Sequence, residues 1–394
     1  MRTFLFLYIL SSLLFSCHRN DNDRDGNNGS DTTIVKYTTN QFVMGSDLSY
    51  VNQILDHGGV YKDSGTIKDP YTIFSQHGSN VIRLRLFHNP TWTKTVYSPA
   101  GLQMYNDFAD VKKGIEKAKN ADLQVCLDFH YSDSWADPSK QVLPKAWESL
   151  TLATLHDSIY NYTFKTLDKL NNAGLMPEYV QTGNEINPGF VLPQGNRWNS
   201  NEENMVYLLN SAIKAVRDAG AASVIKPKVI IHIAQPENVR QWFEGLAAKG
   251  LTDYDIIGIS YYYMWSTTDL ETVSNFIAML KTTFRKEIMV METAYPWTTE
   301  NGDSYGNIIA PEKLKASYPA TPEGQLKYMK ALIQEIIDGG GKGIFYWEPA
   351  WITSAMKDSW GTGSAWDCNT LFDLNGNVNR GMRFMTWKYL NIAR

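Results

Sequence analysis

Eight short apolar segments recur at fairly even intervals along the chain, and each has the length of a buried β-strand. Stretches with the hydrophobic spacing of amphipathic helices separate them. The predicted strands are 42–48, 80–87, 123–130, 179–184, 228–232, 255–261, 287–292 and 343–347. Helical patterns between them include 104–120, 152–172, 202–219, 270–284 and 325–338, and the pattern at 381–393 completes eight helices.

This alternation predicts an α/β protein built as one (β/α)8 barrel, a TIM barrel in a single domain. Helix boundary residues agree with it, since Pro322 stands in a first turn and Gly339 follows a helix end. The main alternative is a doubly wound open sheet. Such a sheet would carry a glycine-rich phosphate turn after its first strand, and residues 44–47 lack that fingerprint.

Charge and cysteine content limit the binding partners and metals that this protein is expected to have. The 394 residues carry a net charge of -4, with no long basic or acidic run in the barrel region, so we expect no nucleic-acid partner. We also expect a monomer. The three cysteines show no zinc-binding spacing, and Cys126 lies in an apolar strand pattern that predicts a small buried hydrophobic residue.

The first residues predict an exported protein. Arg2 precedes an apolar run, 4–15, that is too short to span a membrane, which is typical of a signal peptide. Residues 14–17 resemble a bacterial lipobox in which Cys17 is lipidated, although Phe15 is larger than usual there. The alternative is ordinary signal cleavage near the same point.

The region after Cys17 is rich in Asn, Asp and Gly and predicts a flexible tether. Its acidic residues resemble the signals that send bacterial lipoproteins to the cell surface. The predicted organisation is therefore a signal peptide at 1–16, a tether at 17–36 and the barrel at 37–394. We expect a lipid anchor in the outer membrane with the protein on the cell surface.

Two predicted strands end in a glutamate, Glu185 after the fourth and Glu292 after the seventh. Because chemistry in a barrel gathers at the carboxyl ends of the strands, these side chains are expected to meet over its mouth. Hydrolysis of a glycosidic bond requires at least two carboxyl groups. A separation of about 5–5.5 Å between them predicts that the configuration at the anomeric carbon is retained. Two unrelated polar strand ends are the simpler alternative.

Aromatic residues are concentrated at the same strand ends. They make up 13% of the chain, and ten of the 12 tryptophans fall after strands, leaving Trp242 and Trp387 on helices. Tryptophan faces stack on sugar rings and polar side chains bind the hydroxyls, although some of these tryptophans must simply pack loops. The predicted substrate contacts are Arg83, Asp128, His130, Trp135, Asn184, His232, Tyr261, Tyr295, Trp297, Trp347 and Trp351.

Arg83 and Arg85 lie on the second predicted strand, and we expect one of them to keep Glu292 ionised through its positive charge. A tyrosine at the end of the sixth strand is expected to add a hydrogen bond. A purely structural ion pair in the barrel mouth is the alternative role for each arginine.

The carboxylate arrangement resembles the clan of retaining (β/α)8 glycoside hydrolases. Within that clan, the segments 128–138, 181–186, 258–262, 292–295 and 346–351 resemble glycoside hydrolase family 53, the endo-β-1,4-galactanases, and the likeness runs from 43 to 372. It implies that Glu185 is the general acid/base and Glu292 the nucleophile. The implied substrate is β-1,4-galactan, the side chain of type I arabinogalactan in pectin, cut internally by double displacement.

Two other functions remain open. A hydrolase of the same clan that acts on mannan, xylan or glucan would have the same barrel and the same carboxylates. A surface glycan-binding protein without activity would keep the barrel, but it has no need of Asn184, Glu185 and Glu292 together.

The segment 301–307 spaces oxygen donors two residues apart, as calcium loops do. It resembles the calcium loop of bacterial family 53 members, with Asn301 and Tyr305 in place of a carboxylate and a histidine. The implied Ca²⁺ ligands are Asn301, Asp303, Tyr305, Asn307, Ser364 and Asp367. Such an ion would hold two loops together without a role in the chemistry, and a plain Asx-rich turn is the alternative.

Overall fold

Eight parallel strands close into a barrel in the computed structural model. The strands are β1 (Val43–Asp47), β2 (Val81–Leu86), β3 (Gln124–Phe129), β4 (Tyr179–Thr182), β5 (Lys228–Ala234), β6 (Ile256–Ser260), β7 (Glu287–Thr293) and β8 (Gly343–Tyr346). Each pairs with its neighbours in sequence, and β8 pairs with β1 to close the cylinder. The predicted (β/α)8 barrel is confirmed, and every strand overlaps its predicted segment.

Helices cover the outside of the barrel. They are α1 (Val51–Asp56), α2 (Pro70–Gln76), α3 (Trp92–Thr95), α4 (Phe108–Asn120), α5 (Leu152–Asn172), α6 (Glu202–Ala221), α7 (Pro236–Ala247), α8 (Val273–Phe284) and α9 (Pro322–Asp338). Local chemistry explains their starts, because the Asp107 and Thr151 side chains accept hydrogen bonds from first-turn N–H groups of α4 and α5.

The core has two layers, as strand alternation requires. Inward-facing side chains fill the barrel, namely Val43, Val81, Cys126, Tyr179, Ile230, Ile256, Met289, Met291 and Phe345. A larger apolar layer joins the outer strand faces to the helices. Cys126 is fully buried in the inner layer, which confirms its predicted place.

The predicted eighth helix, 381–393, is wrong. A 3-10 helix, Arg380–Thr386, takes its place, and Trp387 after it is extended. The reason is a long-range contact: the Tyr37 hydroxyl donates to the Trp387 carbonyl and accepts from the Tyr389 N–H, at 2.8 Å and 2.9 Å. Those backbone groups are therefore engaged outside a helix.

The structure describes residues 34–101, 103–198, 202–309 and 314–392. Contacts divide the chain into Met1–Ile34 and the barrel unit Val35–Arg394. The predicted signal peptide, the lipidation site Cys17 and most of the tether lie outside the described residues. Among the helices that are described, none has the length and apolarity to cross a membrane.

Candidate active site

A cleft of about 590 Å³ opens at the carboxyl ends of the strands. It brings together the two glutamates at the ends of β4 and β7, as the strand pattern predicted. Six tryptophans contribute to its lining: Trp135, Trp265, Trp347, Trp351, Trp360 and Trp366. Of the predicted substrate contacts, Arg83, His130, Trp135, Asn184, Trp347 and Trp351 also face this cleft.

Glu185 lies on a tight turn directly after β4. Its φ is 45°, a left-handed conformation that is strained for a residue other than glycine, and such strain is common at functional positions. Its Oε1 atom lies 2.6 Å from the Ser260 hydroxyl oxygen. Burial and then the negative charge of Glu292 raise the pKa of Glu185 to about 8, so this carboxyl group is suited to hold a proton at neutral pH.

Glu292, near the end of β7, has a different set of partners. Its Oε1 accepts from Arg83 Nη1 at 2.8 Å, and its Oε2 accepts from the Tyr262 hydroxyl at 3.3 Å. Burial raises its pKa to about 7 against the lowering effect of Arg83. A nucleophilic carboxylate is expected to have a normal or lowered pKa, whereas the pKa of Glu292 is raised. It stays below the pKa of Glu185.

The two carboxyl groups titrate as an interacting pair. Because Arg83 bonds directly to Glu292, the shared proton is favoured on Glu185 and the negative charge on Glu292. Glycoside hydrolysis needs one protonated carboxyl group, which acts as the acid, and one ionised carboxylate, and this pair provides both.

Arg83 occupies the centre of a buried network beneath the cleft. It is 1% exposed and donates to the carboxylates of Asp47 and Asp128 at 2.9 Å and 2.8 Å, besides Glu292. It also donates to the side-chain oxygen of Asn184 at 2.8 Å. Three carboxylates around one guanidinium keep Arg83 charged and fix its position.

Arg85 belongs to a separate pair. Its Nη1 lies 3.1 Å from Glu348 Oε1, and its guanidinium lies over the Trp135 ring at 4.0 Å. Arg83 is thus the arginine that contacts Glu292. Arg85 instead forms a buried structural ion pair with Glu348, which was the alternative role considered for both arginines.

Five predicted substrate contacts do not face the cleft: Asp128, His232, Tyr261, Tyr295 and Trp297. Asp128 and His232 are fully buried below it. The Tyr261 hydroxyl donates to the Thr268 carbonyl, and Trp297 Nε1 donates to the Asp367 carbonyl. Neighbouring residues at a strand end point to opposite sides, so Tyr262 and not Tyr261 reaches the cleft.

Tyr295 is directed away from the cleft for a similar reason. Its hydroxyl donates to the Tyr318 carbonyl at 2.6 Å, and its ring stacks on Tyr328 at 4.0 Å. These five side chains therefore bond to groups within the protein and do not line the cleft.

Several residues of the cleft were not predicted as substrate contacts. Those with polar or aromatic side chains are Tyr50, Arg85, Asp137, Gln235, Ser260, Tyr262, Trp265, Tyr305, Asp358, Trp360 and Trp366. The tryptophans share the strand-end position that marked the predicted ones, so the same signal identifies them. Ser260 carries no such signal, since a serine at a strand end is common and only its 2.6 Å contact with Glu185 singles it out.

The predicted calcium ligands form hydrogen bonds with one another. Asn307 Oδ1 accepts from the Cys368 N–H, and its Nδ2 donates to Asn301 and to Asp367 Oδ1. The second oxygen of Asp367 accepts from the Gly302 N–H at 2.7 Å. Asn307 therefore presents hydrogen atoms, not an oxygen, to the other predicted ligands.

Asp303 and Tyr305 are also engaged. The two Asp303 oxygens accept from the N–H groups of Tyr305 and Ser364, and the Tyr305 hydroxyl donates to Asp358 at 2.9 Å. Within the described residues, no group of three or more His, Cys, Asp or Glu side chains is placed to hold a metal ion. In this arrangement the side chains of the predicted ligands are engaged in hydrogen bonds within the loops, and calcium binding stays a prediction.

Comparison with known proteins agrees with this geometry. The profile of Glycosyl hydrolase family 53 matches residues 43–385. An arabinogalactan endo-beta-1,4-galactanase of Cellvibrio japonicus is 41% identical over 88% of this chain and 90% of its own. An endo-beta-1,4-galactanase of Bacillus subtilis is 31% identical over 87% and 85%.

A solved structure is similar over the same region. The GH53 catalytic domain of Ignisphaera aggregans superposes with a TM-score of 0.80 at 34% identity and covers 89% of this chain and 96% of its own. Profile, sequence and structure thus agree over the whole barrel. The chain belongs to glycosyl hydrolase family 53.

Proposed function

We propose that this protein is an endo-acting, retaining glycoside hydrolase that cleaves β-1,4-galactan by double displacement. The observation that carries the proposal is the unequal environment of two carboxyl groups in one cleft. Glu292 is bonded to the Arg83 guanidinium, whereas Glu185 faces a neutral serine hydroxyl. One group is thereby suited to attack and the other to donate a proton.

In the first step, a carboxylate oxygen of Glu292 attacks the anomeric carbon and forms the glycosyl–enzyme ester. The bond from that carbon to the leaving oxygen breaks, and Glu185 transfers its proton to this oxygen. Arg83 and the Tyr262 hydroxyl hold the attacking group in place until the ester forms.

In the second step, Glu185 is ionised and takes a proton from a water molecule as this water attacks the same carbon. The ester bond to Glu292 breaks, and the carboxylate returns to its contact with Arg83. Two inversions restore the starting configuration, and each catalytic group recovers its initial protonation state.

Galactan as the substrate rests on family membership and on the named activities of the relatives from Cellvibrio japonicus and Bacillus subtilis. The cleft supports a polysaccharide of this kind. Its tryptophan faces suit the apolar sides of pyranose rings.

The test is release of reducing sugar from galactan, mannan, xylan and cellulose by the purified protein. We expect release from galactan with a rapid fall in polymer length, and NMR of the first product should show the β-anomer. Release from another glycan alone would favour a different substrate, binding without release would favour a glycan-binding protein, and absence of galactan cleavage overturns the proposal.

We further propose that the protein is a surface lipoprotein anchored through Cys17. The lipobox-like segment and the polar stretch after it support this location.

Metabolic labelling with a fatty acid tests this location. Wild-type protein should carry the label and be accessible to protease on intact cells, while Cys17→Ala should lose the label and be released in active form. Label that persists in the variant would refute lipidation at this residue.

A further inference from the structure

A chain of hydrogen bonds leads from Glu185 into the barrel. Glu185 Oε1 lies 2.6 Å from the Ser260 hydroxyl oxygen, which in turn lies 2.9 Å from His232 Nε2. The other ring nitrogen, Nδ1, lies 2.9 Å from Asn184 Oδ1. Each atom in this chain either donates or accepts, so one fixed end determines the position of every hydrogen.

Asn184 is the fixed end. Its Oδ1 lies 2.8 Å from Nη2 of Arg83, and a guanidinium only donates. Its Nδ2 donates to the Ala136 carbonyl at 2.8 Å, which carries no hydrogen. The amide is therefore oriented with its oxygen toward His232.

His232 carries one ring hydrogen. It is fully buried, and burial together with the charge of Arg83 lowers its pKa well below the ordinary value, so the ring is neutral. The Nδ1 atom faces an oxygen that accepts, and it must hold the hydrogen for the 2.9 Å contact to be attractive.

Gln181 Nε2 also lies 3.1 Å from Nδ1. Its two hydrogens have three other acceptors within reach, namely Asp128 Oδ1 at 2.7 Å and, at 3.1 Å each, the Gly183 carbonyl and Asn184 Oδ1. Gln181 therefore does not need His232 Nδ1 as an acceptor. With the single ring hydrogen on Nδ1, the Nε2 atom of His232 carries a lone pair and accepts.

The remaining hydrogens follow. Ser260 has one hydroxyl hydrogen, and His232 Nε2 accepts it, which leaves the serine oxygen as an acceptor. An ionised Glu185 would then face that oxygen across 2.6 Å with no hydrogen between them. The contact is favourable when Glu185 is protonated and donates to Ser260.

We propose that Ser260 and His232 are positioning residues that hold the proton on Glu185 in the resting enzyme, an inference that rests on the proposed function. When substrate binds, this O–H turns from Ser260 to the leaving oxygen and transfers its proton. The Ser260 hydroxyl is then free to turn from His232 toward the new carboxylate. Uptake of a proton from water in the second step restores the resting arrangement.

Ser260→Ala tests the sign of the effect. Without its acceptor the protonated form of Glu185 loses stability, so the alkaline limb of kcat/KM on galactan should move down by about one pH unit. A serine that only donated to the carboxylate would stabilise the ionised form, and its removal would move the limb up. An upward shift or no shift overturns the proposal.

Two further variants serve as controls for this measurement. Ser260→Thr keeps the hydroxyl and should restore the wild-type limb. Ser46→Ala removes another buried hydroxyl on a barrel strand, one that bonds to Ser79, and should leave the limb in place. The other charged groups near Glu185, which are Glu292, Asp137 and Arg83, are unchanged in all three variants.

The tautomer of His232 gives a test that needs no activity. Long-range ¹H–¹⁵N spectra of the ¹⁵N-histidine-labelled protein distinguish a hydrogen on Nδ1 from one on Nε2. The His232 signals are those missing from His232→Gln or, should that variant not fold, those displaced in Ser260→Ala.

We expect the Nδ1–H form, because burial, Arg83 and His130 lower the pKa of His232 and outweigh Asp128, which raises it, so the ring stays neutral over the working pH range. The Nε2–H form would overturn the inference. A protein that shows Nδ1–H but releases nothing from galactan would contradict the proposed function and leave the hydrogen-bond assignment standing.

Discussion

Arg83 on β2 donates through Nη1 to Oε1 of Glu292 on β7, across 2.8 Å and a separation of 209 residues in sequence. This contact distinguishes two carboxyl groups that otherwise share one buried cleft. It favours the charge on Glu292 and leaves the proton to Glu185, whose Oε1 lies 2.6 Å from the Ser260 hydroxyl oxygen. The roles of the pair therefore depend on what lies beneath them in the barrel.

Glu292→Ala should lower kcat on galactan by about four orders of magnitude or more, because no group remains to form the ester. Added azide should yield only the product of inverted configuration. Reducing-sugar assays and NMR of the azide product measure both effects. The exposed Glu323→Ala is the matched control and should keep wild-type activity, while a product of retained configuration from Glu292→Ala would contradict the assignment.

Glu185→Ala should lower activity on galactan by roughly 10²- to 10⁴-fold. Activity on an aryl β-galactoside or galactobioside with a good leaving group should be largely kept in the glycosylation step, since such a group leaves without a proton. Pre-steady-state release of the phenol separates that step from hydrolysis of the ester. Equal loss on both substrates would show that Glu185 is not the acid.

The pH profile of kcat/KM should be bell-shaped, with both limbs displaced above the ordinary range of carboxyl groups. Below the pKa of Glu292, about 7, the nucleophile is protonated and activity falls. Above the pKa of Glu185, about 8, the acid is ionised and activity falls again. Initial rates at low substrate concentration between pH 4 and pH 10 should place the maximum near neutral pH, and a maximum below pH 5 would contradict these directions.

Arg83→Ala should destabilise the fold strongly, by about 3–5 kcal/mol, because it leaves the buried carboxylates of Asp47 and Asp128 without their cation. Urea unfolding followed by circular dichroism measures the change. Arg240→Ala removes an exposed i,i+4 pair with Glu244 and should change stability little. Similar values for the two variants would show that the buried network contributes no more than a surface pair.

Calcium should change the thermal stability little if the hydrogen bonds of Asn307 and Tyr305 close the loops by themselves. Melting curves in EDTA and in millimolar CaCl₂ test this. Tyr305→Phe, which loses the bond to Asp358, should lower Tm by roughly 2 °C in both buffers. A calcium-dependent rise in Tm of the wild type would instead support the ion that the loop spacing predicts.

The C-terminal segment shows where local pattern misleads. Its apolar spacing after residue 381 is helical, yet Tyr37, some 350 positions earlier, engages the backbone of Trp387 and Tyr389. The orientation of Asn307 in the loop 301–307 also goes beyond the local pattern, because its side-chain oxygen accepts from the Cys368 N–H. Both depend on partners distant in sequence.

The strand positions, the barrel and the place of the two glutamates at strand ends were determined by the sequence alone, because apolar periodicity is a local property and chemistry in barrels follows strand ends. Only the tertiary structure decided that Arg83 contacts Glu292, that Tyr262 faces the cleft and that Ser260 reaches Glu185. The pairing of β6 with β7 shifts register so that Ser260 lies opposite Glu292. Such a shift redirects side chains at the strand ends, and because it is a property of the pairing between two strands, the pattern within either strand does not record it.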